Sequence, residues 1–304
     1  MNTNAIAVGL PSANAEIDLV APRRPFLVSL RTWVRNQPLG AISLLVVVMT
    51  IFIAVFAPQI SPYDPVEAHY DTMMQAPSAT YWLGTDQYGR DVLSRIIWGA
   101  RTALYVGFTS AILGATVGLI LGVGSAYFGG WVDLVFQRIM DVFLAFPLLI
   151  LALAAVAVFG TGPDKVILAI TFPFVPRCAR VVRSGALAIR EMPYVDAARA
   201  LGYGHWRIIL RHMVPNCMAT YLIMLTTFLG QAILIEASLS YLGLGVQEPI
   251  PAWGLMLQGG AEEYAESAIW IAIFPGLAIT LAVFAFNLFG DALRDTLDPK
   301  LRAR

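Results

Sequence analysis

Charged side chains are scarce in this chain of 304 residues. Asp, Glu, Lys and Arg make up 13% of it, and hydrophobic residues make up 58%. Globular domains carry about 25% charged residues, so the composition excludes an ordinary soluble domain and indicates a membrane protein. The formal net charge is zero, and the charge balance therefore gives no indication of a nucleic-acid partner.

Cysteine and lysine are also rare. Cys178 and Cys217 are too few for a disulfide framework, and we expect both to stay reduced on the cytoplasmic side. Neither Lys165 nor Lys300 lies in the Gly-x4-Gly-Lys-Ser/Thr pattern of a phosphate-binding loop, and the patterns His-Glu-x-x-His and Gly-x-Ser-x-Gly are absent. The sequence therefore predicts no enzyme, no catalytic residue and no metal or cofactor site.

Long apolar runs are abundant and predict an all-α integral membrane protein. A membrane-spanning helix needs about 20 apolar residues. Six segments qualify: Leu39–Ala57, Thr102–Phe128, Val142–Gly160, a fourth from Val166 to the arginines at 177–183, Met213–Ile235 and Ser267–Phe289.

Most of the 20 Lys and Arg residues fall before span 1, between spans 4 and 5, or after span 6. The positive-inside rule then places both termini in the cytoplasm. We predict a cytoplasmic tail over 1–38, a first span with an extracytoplasmic loop over 39–101, a five-helix core over 102–290 and a cytoplasmic tail over 291–304.

The largest predicted cytoplasmic loop, residues 190–216, contains the stretch DAARALGYGHWRIILRHMVPN. Pro193 suits the first turn of a helix, and apolar residues then recur at helical spacing on both sides of Gly202 and Gly204. Two short amphipathic helices joined by a glycine hinge suit a groove on a partner. The same spacing equally suits a helix lying in lipid headgroups.

This loop resembles the EAA loop of ABC-importer permeases, whose pattern is Glu-Ala-Ala, three residues, Gly, nine residues and Ile-x-Leu-Pro. Asp196, Ala197, Ala198, Gly202 and Pro215 match, with Asp in place of Glu. His212 and Val214 replace the Ile and Leu of the pattern.

Four further blocks resemble the DppC/OppC-type permease subunits of dipeptide and oligopeptide importers. They are LGTDQYGRDVLSRIIWGARTAL (83–104), DVFLAFPLLILAL (141–153), ILIEASLSYLGLGVQEPIPAWG (233–254) and FNLFGDALRDTLDPK (286–300). The resemblance covers nearly all of the chain after residue 38.

The resemblance implies a type I importer permease fold in a bacterial inner membrane. It implies a second permease subunit of the DppB/OppB type, two ATPase subunits that carry ATP and Mg, and an extracytoplasmic solute-binding protein. The ATPase-coupling residues would be Asp196, Ala197, Ala198, Gly202, Trp206, Ile209 and Pro215.

Three charged residues remain open between functional and structural roles. Glu236 is an acid inside an apolar run, which suits either the solute pathway and its outer gate or helix packing. Arg180 and Arg183 suit either transmission of movement or lipid contact at the membrane edge.

Gly114, Gly118 and Gly122 share one face of span 2 and predict close contact with another helix.

Two other classes of membrane protein compete with this interpretation. A secondary transporter or channel would show inverted repeats and ionisable residues at mid-membrane, and we find neither in convincing form. A membrane scaffold would not need the four sequence blocks.

Overall fold

The computed structural model describes residues 33–35, 37–262, 264 and 266–297. The chain divides into a unit Met1–Gln37 and a unit Pro38–Arg304. The predicted N-terminal tail therefore lies almost entirely outside the described residues, as do residues 298–304 of the predicted C-terminal tail.

The described part of the second unit consists of helices, connecting loops and an isolated bridge between Thr85 and Asp91. The helices are α1 (Pro38–Val55), α2 (Ala57–Ile60), a 3-10 turn (Tyr70–Thr72), α3 (Val92–Phe128), α4 (Gly130–Leu144), α5 (Leu148–Phe159), α6 (Pro163–Arg190), α7 (Pro193–Ala200), α8 (His205–Ile208), a π turn (Ile209–Met213), α9 (Val214–Tyr241), α10 (Trp253–Glu262) and α11 (Trp270–Leu297). The all-α prediction is confirmed.

In the described ranges, four helical segments are long and apolar enough to cross a membrane: α1, α3, the continuous segment His205–Tyr241, and α11. The pair α4 and α5, bent by 94°, gives a fifth if the two helices count as one span. Helix α6 is not among them, because arginines at 177, 180, 183 and 190 interrupt its apolar sequence.

Helices α3 and α6 run parallel and in close contact. The hydroxyl of Tyr105 donates to Asp164 near the start of α6 (3.2 Å), and Arg190 at its end donates to the carbonyl of Ala126 (3.0 Å). We call the end of the bundle near Ala126 and Arg190 the loop end, and the opposite end, at Val92, the far end.

The glycine face of α3 makes this close contact within one subunit. A Cβ on Gly114 would lie 2.6 Å from the Cβ of Phe174, and a Cβ on Gly118 would overlap Cys178. The prediction of a packed glycine face is confirmed, and its partner is α6.

The remaining long helices enclose this pair. Tyr221 of α9 pairs with Thr116 of α3 (3.1 Å), and the ring of Phe228 stacks on Phe174 with centroids 4.2 Å apart. Helix α10 closes the far end, where the indole of Trp253 donates to the carbonyl of Ile96 (2.9 Å).

Several boundaries differ from those expected from hydrophobicity. Helix α3 begins at Val92 rather than Thr102, because Asp91 caps it by accepting from the backbone N–H of Ser94 (2.8 Å). Helix α6 continues past the arginines to Arg190, and α11 continues to Leu297, into the region predicted as a tail.

Candidate functional site

The predicted coupling loop forms two short helices, α7 and α8, joined by a tight turn. Pro193 occupies the first turn of α7, as predicted. Gly202 has φ +74° and donates to the carbonyl of Arg199 (2.9 Å), while the N–H of Tyr203 donates to that of Ala198 (3.1 Å). This pair of bonds is the Schellman motif, in which glycine is favoured at the left-handed position.

From the sequence, Pro215 fits either a stop of the second helix or the entry into the next span, and the structure shows the entry. Helix α8 continues through the π turn Ile209–Met213 into α9, and Pro215 lies in the first turn of α9. A proline clashes with the carbonyl four residues earlier, and a π turn widens the backbone at that point. The side chain of Asn216 donates to the carbonyl of His212 (2.6 Å).

The loop has a buried face and an exposed apolar face. The buried side chains are Val195, Ala198, Ile208, Ile209 and Met213, and they pack into the main core. The exposed large apolar side chains are Met192, Tyr194, Leu201, Trp206 and Leu210, and Trp206 is 72% exposed. The loop is thus packed against the bundle on one side and presents an apolar surface on the other.

Polar contacts fasten the loop to the last turn of α3. The hydroxyl of Tyr127 lies 2.8 Å from Nδ1 of His205, and the guanidinium of Arg199 lies 5.8 Å from the centre of the Tyr127 ring. Sequence reasoning missed Tyr127, because no local pattern links it to a loop that lies 78 residues away.

The predicted coupling residues divide between the two faces. Asp196, Ala197, Gly202, Trp206 and Pro215 are exposed, whereas Ala198 and Ile209 are buried. Asp196 accepts from Arg199 within the same helix (3.0 Å). The buried members hold the loop in place, and the exposed members are available to a partner.

Arg180 and Arg183 of α6 both pair with carboxylates of α4. Arg183 donates through Nε to Asp133 (2.5 Å), which also accepts from Ser125 of α3 (2.7 Å). Arg180 pairs with Asp141, which also lies 3.8 Å from Arg138. The two arginines therefore connect α6 to α4 rather than extending freely toward lipid.

Glu236 lies inside the subunit and is 1% exposed. Its Oε1 accepts from the hydroxyl of Ser240 (2.8 Å), and that hydroxyl accepts from the N–H of Val246 (3.1 Å). The residue thus connects the end of α9 to the following loop. A role in an outer gate stays a prediction.

A charged cluster at the far end was not predicted. Glu248 accepts from Arg90 through both oxygens (2.7 and 3.1 Å) and from Arg95 (3.3 Å). Asp86 accepts from Nε of Arg90 (2.7 Å). Burial would raise the pKa of Glu248, but the hydrogen bonds and charges of Arg90 and Arg95 outweigh it and hold that pKa below its usual value.

Among the residues that the structure describes, no group of three or more His, Cys, Asp or Glu side chains is placed to hold a metal ion. The chemistry that this site offers is recognition through an apolar surface.

Among the described residues, the long apolar helices define the class as a multi-pass membrane protein. Residues 114–303 match the model of the binding-protein-dependent transport system inner membrane component, and residues 31–77 match the N-terminal transmembrane domain of oligopeptide transport permease C. The chain belongs to this permease family and is a permease subunit of an ABC importer.

Curated relatives cover most of the chain. The dipeptide transport system permease protein DppC of Alkalihalophilus pseudofirmus is 41% identical over 88% of both chains. The glutathione transport system permease protein GsiD of Pectobacterium atrosepticum is 40% identical over 92% of this chain and 93% of the relative.

A chain of the MetNI methionine ABC transporter, solved in inward-facing conformations, shares the fold. The TM-score is 0.54 at 19% identity, and the match covers 68% of this chain and 97% of that one.

Proposed function

We propose that this chain is one of two permease subunits of a bacterial inner-membrane importer for small peptides. The relatives named for dipeptide and glutathione transport support this solute class, because glutathione is itself a short peptide. In this proposal a DppB/OppB-like subunit completes the passage, and an extracytoplasmic binding protein delivers the solute. ATP and Mg are held by two partner ATPase subunits.

The proposed topology has six spans and cytoplasmic termini. The parallel arrangement of α3 and α6 supports it, because α4 and α5 must return the chain from the loop end before α6 starts near Asp164. Helix α6 has 28 residues, which makes it about 42 Å long at 1.5 Å per residue and long enough to cross.

The observation that carries the proposal is the exposed apolar face of the loop. Tyr194, Leu201, Trp206 and Leu210 are exposed on a loop whose opposite face is buried in the core. Exposed apolar patches rimmed by polar residues mark interaction sites, and an amphipathic helix fits a groove on a partner. We infer that this face docks on an ATPase subunit and transmits its movement to α3 and α9.

Replacement of Trp206 by Ala tests the docking surface, and Trp131→Ala is the matched control. Trp206 is 72% exposed, and Trp131 on α4 is 78% exposed. Because neither side chain supports the core, both variants should fold. We expect Trp206→Ala to reduce the ATPase that copurifies with the tagged permease and the ATP hydrolysis stimulated by the binding protein.

Trp131→Ala should leave both quantities at the wild-type level. Unchanged ATPase recovery and hydrolysis in Trp206→Ala would contradict the docking assignment. A chain that purifies alone and still moves solute in vesicles would make it a secondary transporter.

A further inference from the structure

The connection between α4 and α5 is a break partway along the helical bundle. Helix α4 ends at Leu144 and α5 begins at Leu148, and the two axes differ by 94°. Ala145, Phe146 and Pro147 between them are all exposed in this chain.

The break lies at depth rather than at either end of the bundle. The ring of Phe143 contacts that of Phe172 on α6, with centroids 4.9 Å apart. Phe172 lies between Asp164, which is in the far-end part of α6, and Arg183, which pairs with Asp133 near the start of α4. Helix α4 therefore runs alongside α6 from the loop end toward the far end. The pair formed by α4 and α5 is thus a broken span rather than a re-entrant loop.

The break exposes backbone groups that a continuous helix would pair internally. Ala145 and Phe146 still donate to the carbonyls of Asp141 and Phe143 (3.1 and 3.4 Å). The final carbonyl of α4 and the first N–H groups of α5 have no partner one turn further along a continuing helix. Pro147 offers no N–H. Irregular backbone at membrane depth is tolerated where protein buries it or water fills the space, but not against lipid.

An independent feature lies on the same side of α4. Asp141 precedes Ala145 by four residues, so the two share one helix face. Asp141 pairs with Arg180, and the two side chains remain 45% and 49% exposed.

This ion pair also lies partway along the bundle rather than at its loop end. Next to Arg180, Cys178 packs on Gly118, about 15 Å from the loop end of α3 at 1.5 Å per residue. Half-exposed charges at such a depth face water or a protein interior.

Further charged residues lie beside this ion pair on α4 and on α6. Arg138 lies one turn before Asp141 and is 79% exposed. Arg177 shares the face of Arg180 on α6 and donates to Gln231 of α9 (3.4 Å). In contrast, the exposed residues of α3 at similar depth, Val117 and Ile120, are apolar.

We propose that Arg138, Asp141, Arg180 and the break at 145–147 form a charged strip that lines the solute passage in this subunit and faces water. The inference rests on the proposed function, since only a permease needs such a strip. Water satisfies the half-exposed ion pair and the free backbone groups together, whereas a dry partner surface would have to match each of them.

Cysteine accessibility in the complete importer tests the proposal. Ala145→Cys changes little volume, and Ile120→Cys is the control on the apolar stripe of α3. The native Cys178 and Cys217 are unpaired and buried, so they give little background. Each variant is copurified with its partner subunits, placed in lipid nanodiscs and treated with the membrane-impermeant reagent methanethiosulfonate ethylsulfonate.

Because the thiolate is the reacting form and needs water, we expect Ala145→Cys to react about tenfold faster, or more, than Ile120→Cys. An assembled complex in which the two rates are equal overturns the inference alone. A permease that recovers no ATPase overturns the proposed function, and the inference with it. If Ala145→Cys does not assemble, Phe146→Cys is read in the same way.

Discussion

The hydroxyl of Tyr127 and Nδ1 of His205 lie 2.8 Å apart and join the last turn of α3 to the first turn of α8. Arg190 at the end of α6 donates to the adjacent carbonyl of Ala126 (3.0 Å). The two parallel helices and the loop therefore meet at one point. A displacement of the loop would therefore act directly on α3.

Tyr127→Phe should loosen the loop without disturbing the bundle. The variant loses one partly buried hydrogen bond, which contributes about 1 kcal/mol, or roughly a fivefold change in local opening. We expect amide hydrogen exchange over residues 193–213 to accelerate by about that factor, measured by mass spectrometry. Tyr221→Phe, which loses its contact with Thr116, should leave exchange in the loop unchanged. Equal exchange in Tyr127→Phe and wild type would show that the contact does not hold the loop.

The local features of this loop could be predicted from the sequence. Pro193, the spacing of apolar residues and the glycines act over one or two helical turns, so their effect is readable from neighbouring residues. The π turn at 209–213 could not be predicted, because the same apolar spacing fits an α-helix that ends at Pro215. Tyr127 could not be predicted either, since only the parallel packing of α3 and α6 brings it to the loop.

The glycine face of α3 makes a second prediction. Gly118→Ala places a methyl group against the Cβ of Cys178 and 3.0 Å from the backbone nitrogen of Ala179. Overpacking of this kind costs about 1–3 kcal/mol, so the melting temperature of the purified permease should fall. Gly124→Ala is the matched control, because nothing lies within 4 Å of the new Cβ. It should raise stability slightly, since alanine favours helix over glycine. A fall of equal size in both variants would contradict the packing argument.

Gly202 and Gly204 of the predicted coupling loop look alike in the sequence but differ in backbone conformation. Gly202 has φ +74°, and Gly204 has φ −62° at the N-cap of α8. Gly202→Ser strains the left-handed position by about 1–2 kcal/mol, whereas serine is favoured at an N-cap. We expect Gly202→Ser to lower solute uptake per ATP hydrolysed in proteoliposomes while membrane insertion stays normal. Gly204→Ser should keep the wild-type ratio. Wild-type coupling in Gly202→Ser would remove this glycine from the proposed mechanism.

The parts of the molecule that escaped prediction depend on residues far apart in the chain. Arg90 and Glu248 are separated by 158 residues, and each alone resembles an ordinary loop charge. The arginines of α6 suggested a membrane edge, because the sequence does not show that Asp133 and Asp141 of α4 lie opposite them. The break after Leu144 was hidden for a similar reason, since Val142–Gly160 is uniformly apolar and fits an unbroken span.

The far-end cluster predicts an acid-sensitive loop. The folded-state pKa of Glu248 lies below its ordinary value of 4.5, so its contribution to stability is fully present above pH 4.5 and is lost as the pH falls below that value. We expect residues 61–91, which Arg90 attaches to Glu248, to become more sensitive to limited proteolysis in that acid range.

Glu248→Gln should show this sensitivity to proteolysis already at neutral pH. Its sensitivity should not increase further as the pH falls. Removing a partner from a buried ion pair costs several kcal/mol, and with the Glu248 side chain 39% exposed we expect about 1–3 kcal/mol. Glu191→Gln is the control, because its pair with Arg190 is exposed (3.4 Å, Glu191 72% exposed) and such pairs contribute little. Two results would contradict this prediction: cleavage of 61–91 that is independent of pH in wild type, or cleavage that is unchanged in Glu248→Gln. Either would show that other contacts hold the loop, such as the Trp270 indole, which donates to the carbonyl of Thr85 (3.1 Å).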